Sequence, residues 1–137
     1  MIASFLDRIR RGLPLVIYGD GRQYRDFVHV YDVARANLLA LHAPKAHAVY
    51  NVGTGKPTRI IDLAKIMARL AGVYLELEFD PPRAGDIRES VADISLIRQE
   101  LGFEPRINLE TGLAEMSRTR APRSSPRPRP SRNPPPA

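Results

Sequence analysis

Residues 19–36, GDGRQYRDFVHVYDVARA, form the stretch around which the rest of this sequence is expected to fold. The stretch opens with a Gly-Asp-Gly turn, continues into an apolar strand over residues 27–30, and reaches Asp32, which is predicted to cap a helix. A turn, a strand and a helix start thus surround Arg25. This rigid setting would allow the guanidinium to bind an anion, and the interpretation as a surface charge paired with Asp26 stays open from these residues alone.

A second arginine, Arg83, lies in the sequence PPRAGD at residues 81–86, where two prolines restrict the backbone. The planar guanidinium group can donate two parallel hydrogen bonds to phosphate oxygens. Two such groups would suit a diphosphate. Arg25 and Arg83 are therefore candidates for a shared site for an anionic ligand.

Working outward from these arginines, apolar periodicity predicts strands and helices that alternate along the chain. The predicted strands cover residues 15–18, 27–30, 49–52 and 74–79, with a brief extended piece at 90–92. The predicted helices cover residues 1–11, 33–41, 59–71 and 109–116, with a short one after Asp93. Besides Asp32, the expected N-cap residues are Thr58, Asp93 and Asn108. The helix over residues 59–71 has a narrow polar stripe and is expected to be buried on most sides.

Composition excludes several classes of protein. The chain has 137 residues, which is enough for one small domain, and it has no cysteine for a disulfide framework or a cysteine-ligated metal. Its three histidines are scattered without metal-ligand spacing. No apolar run approaches the roughly 18 residues that a membrane span needs. Since Met1 leads directly into an amphipathic helix and no signal-peptide pattern is present, we expect a soluble cytoplasmic protein without a membrane partner.

The net charge of +6 belongs to the C-terminal segment. Residues 118–137 hold six arginines and no acidic residue, so residues 1–117 are electrically balanced. The basic charge therefore does not indicate that the folded part binds nucleic acid. Because the segment is rich in Pro, Arg and Ser and lacks aliphatic core residues, we predict that it is disordered. The predicted organisation is a folded part, residues 1–117, followed by this tail.

Other motifs are better explained by structure than by chemistry. Gly53-Thr54-Gly55 follows a predicted strand and precedes a helix, as in a dinucleotide-binding fingerprint, but Thr58 stands where the third glycine is needed. A turn with a capped helix is the favoured interpretation. Tyr18 is more typical of a core aromatic residue than of a base-stacking platform, and His29 of a structural strand residue. The sequence shows no nucleophile–base pair.

Three segments occur in a fixed order over nearly all of residues 1–117: VIYGDGRQYRDFVHVYDVARA, YNVGTGKPTRIIDLAKIMARLAG, and PPRAGDIRESVADISLIRQELGFEP followed by NLETGLAEM. In order and spacing they resemble the C-terminal part of the NAD-dependent epimerases and dehydratases of the extended short-chain dehydrogenase/reductase superfamily, and UDP-glucose 4-epimerase most of all. The resemblance implies an α/β fold. The chain would be the C-terminal substrate-binding portion of an extended Rossmann-type epimerase, without the N-terminal nucleotide-binding half.

The resemblance also implies roles for single residues. Arg25 and Arg83 look like the arginines that hold the substrate diphosphate, and Asp86 like the acid that contacts the nucleotide ribose. Val16 and Tyr18 look like the strand residues that flank the nucleobase. The implied partner is a UDP-sugar of the UDP-glucose/UDP-galactose type, and the implied reaction is its NAD-dependent C4 epimerisation. In that reaction NAD oxidises the sugar at C4, the keto sugar rotates, and the hydride returns to the opposite face.

The sequence departs from the family in what it lacks. NAD is the cofactor of the family, yet no segment matches its glycine-rich turn or the catalytic Tyr-x-x-x-Lys, so we assign no catalytic residue and expect no cofactor on this chain alone. Ser90 lies near the position of a tyrosine found in some epimerases, which leaves the sugar open. The alternatives are a dehydratase or decarboxylase of the same superfamily, a non-catalytic UDP-sugar-binding module, or an inactive truncated gene product. A missing or separately encoded N-terminal half is a further expected partner, and a homodimer is compatible with the full-length family.

Overall fold

The computed structural model of the chain describes residues 1–44 and 49–118. In these residues helices and short strands alternate, which confirms the α/β class. The helices are α1 (Ile2–Arg10), α2 (Val30–His42), α3 (Ile60–Ala71), α4 (Ser95–Leu101) and α5 (Leu109–Arg118). The strands are β1 (Leu15–Tyr18), β2 (Tyr24–Arg25), β3 (Thr58–Arg59), β4 (Leu77–Asp80) and β5 (Glu89–Ser90). The predicted tail beyond Arg118 lies outside the described residues.

Two small sheets hold the strands. β1 pairs with β4 in parallel, with Leu15 opposite Leu77 and Tyr18 opposite Asp80. In the second sheet β2 lies between β3 and β5, antiparallel to the first and parallel to the second. Since β1 and β4 are parallel, their carboxyl ends meet at one edge, and the loop with the second arginine leaves from this edge.

Helix α3 lies at the centre of the larger hydrophobic cluster. Its side chains Ile60, Leu63 and Met67 are buried together with residues of α1, β1 and α5. Burying a large aliphatic side chain contributes about 1.5–3 kcal/mol, so this packing is what fixes β1 against the helices. The prediction that this helix is buried on most sides is confirmed. A second, smaller cluster joins α2 to α4 and consists of Ala36, Ile94, Ile97 and Phe103.

Two sequence predictions around α2 are wrong. Residues 27–30 do not form a strand, because α2 already begins at Val30. The residue before it, His29, is the N-cap, and its Nδ1 accepts a hydrogen bond of 3.2 Å from the backbone N–H of Tyr31. Asp32 is therefore not the cap. Its side chain is 2% exposed and accepts hydrogen bonds from the backbone N–H groups of Arg106 and Ile107, which tie α2 to the segment before α5.

Two further predictions fail because strand pairing depends on distant residues. Thr58 does not cap α3; it belongs to β3, where it lies opposite Arg25 of β2. Residues 49–52 do not form a strand, since no strand lies beside them in the part of the chain that the structure describes. The side chain of Val49 is 77% exposed. A strand without a neighbour leaves its backbone groups to water, so the apolar pattern alone does not produce one.

The other local predictions agree with the structure or shift by a few residues. Asn108 Oδ1 accepts a hydrogen bond of 2.8 Å from the N–H of Thr111 at the start of α5, as predicted. Asp93 lies one residue before Ile94, the N-cap of α4, and its Oδ1 accepts a hydrogen bond of 2.9 Å from the N–H of Ser95. Gly72 ends α3 with a φ of 67°, a left-handed conformation that favours glycine. The strand predicted at 74–79 is observed as β4, and the extended piece at 90–92 as β5. No helix in residues 1–44 and 49–118 is long and apolar enough to cross a membrane.

Candidate functional site

The residues singled out in the sequence come together at the edge where β1 and β4 end. A cleft of about 180 Å³ is lined by Val16, Tyr18, Arg25, Arg83 and Asp86, together with the start of α1. A wider depression of about 740 Å³ shares three of these residues, Tyr18, Arg83 and Asp86, and extends toward the turn after β1. The smaller cleft, called the arginine cleft below, thus contains all five predicted binding residues.

Arg25 reaches the arginine cleft from β2 and is held by two contacts. Its Nη2 lies 2.6 Å from Oδ1 of Asp86, and its Nη1 donates a hydrogen bond of 2.7 Å to the backbone carbonyl of Tyr24. The guanidinium is therefore fixed in direction. The alternative of a surface ion pair between Arg25 and Asp26 is wrong, because the carboxylate of Asp26 is bound elsewhere.

Asp26 ties the end of β2 to two other segments of the chain. Its carboxylate accepts hydrogen bonds from the backbone N–H groups of Thr54 at 2.9 Å, Gly55 at 2.9 Å and Ala92 at 3.3 Å, and from the hydroxyl of Thr54. A Cβ added at Gly53 would stand 2.5 Å from Asp26 Oδ2, so only glycine allows this close approach. The carboxylate of Asp26 thereby fixes the end of β2 and, with it, the backbone of Arg25.

The same contacts bear on cofactor binding. In a dinucleotide-binding turn the backbone N–H groups face the diphosphate of the cofactor. At Gly53-Thr54-Gly55 the N–H groups of Thr54 and Gly55 donate to Asp26 instead. The only dinucleotide-like turn that the sequence offered therefore does not fit NAD.

Arg83 is held differently from the first arginine. Its guanidinium carbon lies 3.8 Å from the centre of the Tyr18 ring, which is a cation–π contact. Within residues 1–44 and 49–118 its N–H groups make no hydrogen bond or ion pair with the protein. Tyr18 is half-buried in the cleft wall rather than in the core. Arg83 therefore presents its donors to the solvent-filled cleft, where an anion could accept them.

Charges around the wider depression are mixed. Arg88 lies 3.4 Å from Asp20, and both line the depression. The backbone N–H of Arg22 lowers the pKa of the Asp20 carboxyl, slight desolvation opposes this, and the nearby Arg88 lowers the pKa further. Asp20 thus stays ionised and pairs with Arg88, whereas Arg83 has no acidic partner among the described residues.

Sequence reasoning missed two residues of this region. Gln23 lines both clefts and donates a hydrogen bond of 2.8 Å to the carbonyl of Tyr18. Arg88 lies five residues after Arg83 on the same loop. This proximity in sequence could have identified Arg88 as a residue of the region. For Gln23 the sequence carries no signal, because its position depends on the turn after β1.

In chemical terms the arginine cleft can hold an anion with two oxygens or two phosphates. One guanidinium is oriented and the other has free donors, and both are planar groups suited to phosphate. No group of three or more His, Cys, Asp or Glu residues in the described ranges could hold a metal ion. The two guanidinium groups of the cleft are suited to binding and orienting an anion.

Known proteins match most of this chain in sequence. The model of the NAD dependent epimerase/dehydratase family matches residues 1–53. A putative UDP-glucose 4-epimerase of Methanocaldococcus jannaschii is 38% identical over 82% of the chain, and a dTDP-glucose 4,6-dehydratase of an Actinoplanes species is 38% identical over 84%. The chain spans 36% of the length of each of these relatives.

A solved structure shares the fold. The crystal structure of the UDP-glucose 4-epimerase of Thermotoga maritima with UDP-glucose matches this chain with a TM-score of 0.79 and 40% sequence identity. The match covers 85% of this chain and 37% of the T. maritima chain. The resemblance inferred from the quoted motifs is therefore confirmed. This chain is related to the NAD-dependent epimerase/dehydratase family, and it matches the C-terminal part of the UDP-glucose 4-epimerases in that family.

Proposed function

We propose that this chain binds a UDP-sugar in the arginine cleft. In this proposal Arg25 and Arg83 hold the diphosphate, Asp86 contacts the ribose, and Val16 and Tyr18 flank the base. The observation that supports it most is the state of Arg83, whose guanidinium is stacked on Tyr18 while its N–H groups have no acceptor within the described residues. A bound ligand would supply those acceptors. The T. maritima relative, solved with UDP-glucose, supports the choice of ligand.

The proposed cellular role is the substrate-binding part of a nucleotide-sugar epimerase that acts at C4 of a UDP-sugar in the cytoplasm. Such a reaction needs the diphosphate to be anchored and the sugar to be left free, because the keto sugar must rotate before the hydride returns. NAD supplies the hydride chemistry in the family, and the turn at Gly53-Thr54-Gly55 does not offer it a site, because the N–H groups of Thr54 and Gly55 donate to Asp26. The dehydratase relative from Actinoplanes keeps a dehydratase as the second candidate, since both reactions start from an anchored nucleotide.

The proposed role requires a second polypeptide part, and the surface of the chain fits one. On α2 the side chains of Val30, Leu38 and Leu41 are 68%, 56% and 76% exposed and lie along one face of the helix. Val49, which follows α2 in the chain, is 77% exposed, and residues 49–52 pair with no strand in the described ranges. Contiguous apolar surface of this kind marks an interaction site.

We propose that the nucleotide-binding part of the family occupies this surface. The reason is length, since the matched structures and curated relatives contain almost twice as much additional chain as the portion that this chain covers.

The binding proposal is tested by calorimetric titration of the full chain with UDP-glucose. Arg83→Gln should weaken binding about tenfold, because it removes charge-assisted hydrogen bonds worth roughly 1.5 kcal/mol. Arg69→Gln is the matched control, since Arg69 is an arginine of α3 that pairs with Glu110 outside the cleft. Equal affinities of the two variants, or no binding by the unsubstituted chain, would contradict the proposal.

A further inference from the structure

Two residues that line the arginine cleft, Arg25 and Asp86, form an ion pair with each other. Asp86 Oδ1 stands 2.6 Å from Arg25 Nη2, while the side chains of Arg25 and Asp86 are 23% and 37% exposed. A carboxylate oxygen therefore already occupies one of the directions in which a ligand oxygen would accept from Arg25. Arg83, the other cation of the cleft, has no such acidic partner among the described residues.

This arrangement has an electrostatic consequence for any ligand. An anion that binds Arg25 comes close to the carboxylate of Asp86, and the repulsion between them grows with the charge of the anion. A hydroxyl group beside the anion has the opposite effect, because it can donate a hydrogen bond to the carboxylate. The Arg25–Asp86 pair thus favours an anionic oxygen with a neutral hydroxyl next to it over a compact, highly charged anion.

We infer that Asp86 is a specificity-determining residue that makes the cleft reject inorganic diphosphate in favour of nucleotide-sugar diphosphates. The inference rests on the proposed function and adds the basis of its selectivity. A nucleotide-sugar diphosphate is esterified at both ends and carries less charge than inorganic diphosphate, and its ribose brings hydroxyl groups. Asp86 lies on an exposed loop after β4, so its replacement leaves the hydrophobic clusters intact.

The test compares two ligands, inorganic diphosphate and UDP-glucose, on the full chain and its variants by calorimetric titration. Asp86→Asn should bind inorganic diphosphate about fivefold more tightly, the size expected at the upper end for a partly exposed charge interaction. The preference for UDP-glucose over inorganic diphosphate should fall by at least that factor. Asp86→Ser, which also removes the charge, should behave in the same way.

Two controls separate this effect from a general change in charge. Asp62→Asn removes an acid that lies 3.6 Å from Lys65 on the outer face of α3, and it should leave both affinities unchanged. In the double variant Arg25→Gln/Asp86→Asn the gain in affinity for inorganic diphosphate should disappear, because the effect acts through Arg25.

The outcomes are distinguishable. If neither variant of Asp86 binds inorganic diphosphate more tightly, or if affinity falls because the carboxylate is needed to orient Arg25, the inference is overturned while UDP-glucose binding still stands. A gain that persists in the double variant overturns it as well. If the unsubstituted chain does not bind UDP-glucose, the proposed function fails, and the inference fails with it.

Discussion

Replacement of Asp32 by alanine should be among the most destabilising single changes in this chain. The carboxylate is 2% exposed and accepts hydrogen bonds from the backbone N–H of Arg106 at 3.0 Å, from that of Ile107 at 2.9 Å, and from Nη2 of Arg35 at 3.0 Å. Alanine would leave two backbone donors without their acceptor and would remove the ion-pair partner of Arg35, which keeps its hydrogen bond to the carbonyl of Glu104. It would also release the segment before α5 from α2.

The magnitude follows from these contacts. A buried donor left unsatisfied costs about 1–3 kcal/mol, and removing one partner of a buried ion pair costs about 3–5 kcal/mol. Because Arg35 is partly exposed, we take a value near the lower end, about 3–4 kcal/mol for Asp32→Ala. A domain of this size is stable by only about 5–15 kcal/mol, so much of the stability of the folded chain would be lost.

The same residue predicts a dependence on pH. Burial alone raises the pKa of the Asp32 carboxyl, but the N–H groups of Ile107 and Arg106 and the guanidinium of Arg35 lower it, and the pKa lies below its ordinary value. The stabilisation is therefore fully present above the pKa of the unfolded chain, about 3.9. It is lost as the pH falls through the lower pKa of the folded chain.

Urea denaturation followed by circular dichroism measures both effects. The unsubstituted chain, Asp32→Ala and the control Asp62→Ala, whose acid is exposed, should be compared at pH 7 and at pH 3. We expect a large loss of unfolding free energy for Asp32→Ala at pH 7 and a smaller difference at pH 3. A loss below about 1 kcal/mol at pH 7, equal to that of Asp62→Ala, would refute the reasoning.

Other predictions concern the turn, the activity, the tail and the apolar surface. Gly53→Ala should lower the midpoint of thermal unfolding, because its Cβ would stand 2.5 Å from Asp26 Oδ2 and 2.6 Å from Ala92 Cβ; an unchanged midpoint would contradict the close approach. The full chain given NAD and UDP-galactose should show no epimerisation, and measurable turnover would show that it carries a catalytic site of its own. Removing residues 118–137 should leave the affinity for UDP-glucose unchanged, whereas a loss would place a ligand contact in the tail. Leu41→Gln should reduce binding of a hydrophobic dye, and unchanged dye binding would argue against exposure of the α2 face.

The content of the arginine cleft could be predicted from sequence because its residues lie in short local motifs. Arg25 and Arg83 each lie in a stretch whose glycines and prolines fix the turn around them, and the structure brings both to one cleft. The partner of Arg25 could not be predicted. Successive side chains of a strand point to opposite faces, so Asp26, its neighbour in sequence, is directed away while the distant Asp86 is within reach.

The errors in the fold have a similar cause. Thr58 is a favourable N-cap residue, but the pairing of β2 with β3 draws it into a strand. Residues 49–52 have the pattern of a strand, yet whether they form one depends on a neighbouring strand that the described residues do not supply. Aspartate is a favourable N-cap residue, but Asp32 is buried instead because its carboxylate accepts hydrogen bonds from the N–H groups of Arg106 and Ile107, which are far away in sequence. Each case depends on contacts that no local pattern contains.

The most direct test of the central claim is an amide NMR titration of the full chain with UDP-glucose. It asks both whether the nucleotide sugar binds and where it binds. The account predicts saturable shifts concentrated at Val16, Tyr18, Arg25, Arg83 and Asp86, the residues that line the arginine cleft. An absence of shifts, or shifts confined to residues outside the cleft, would contradict it.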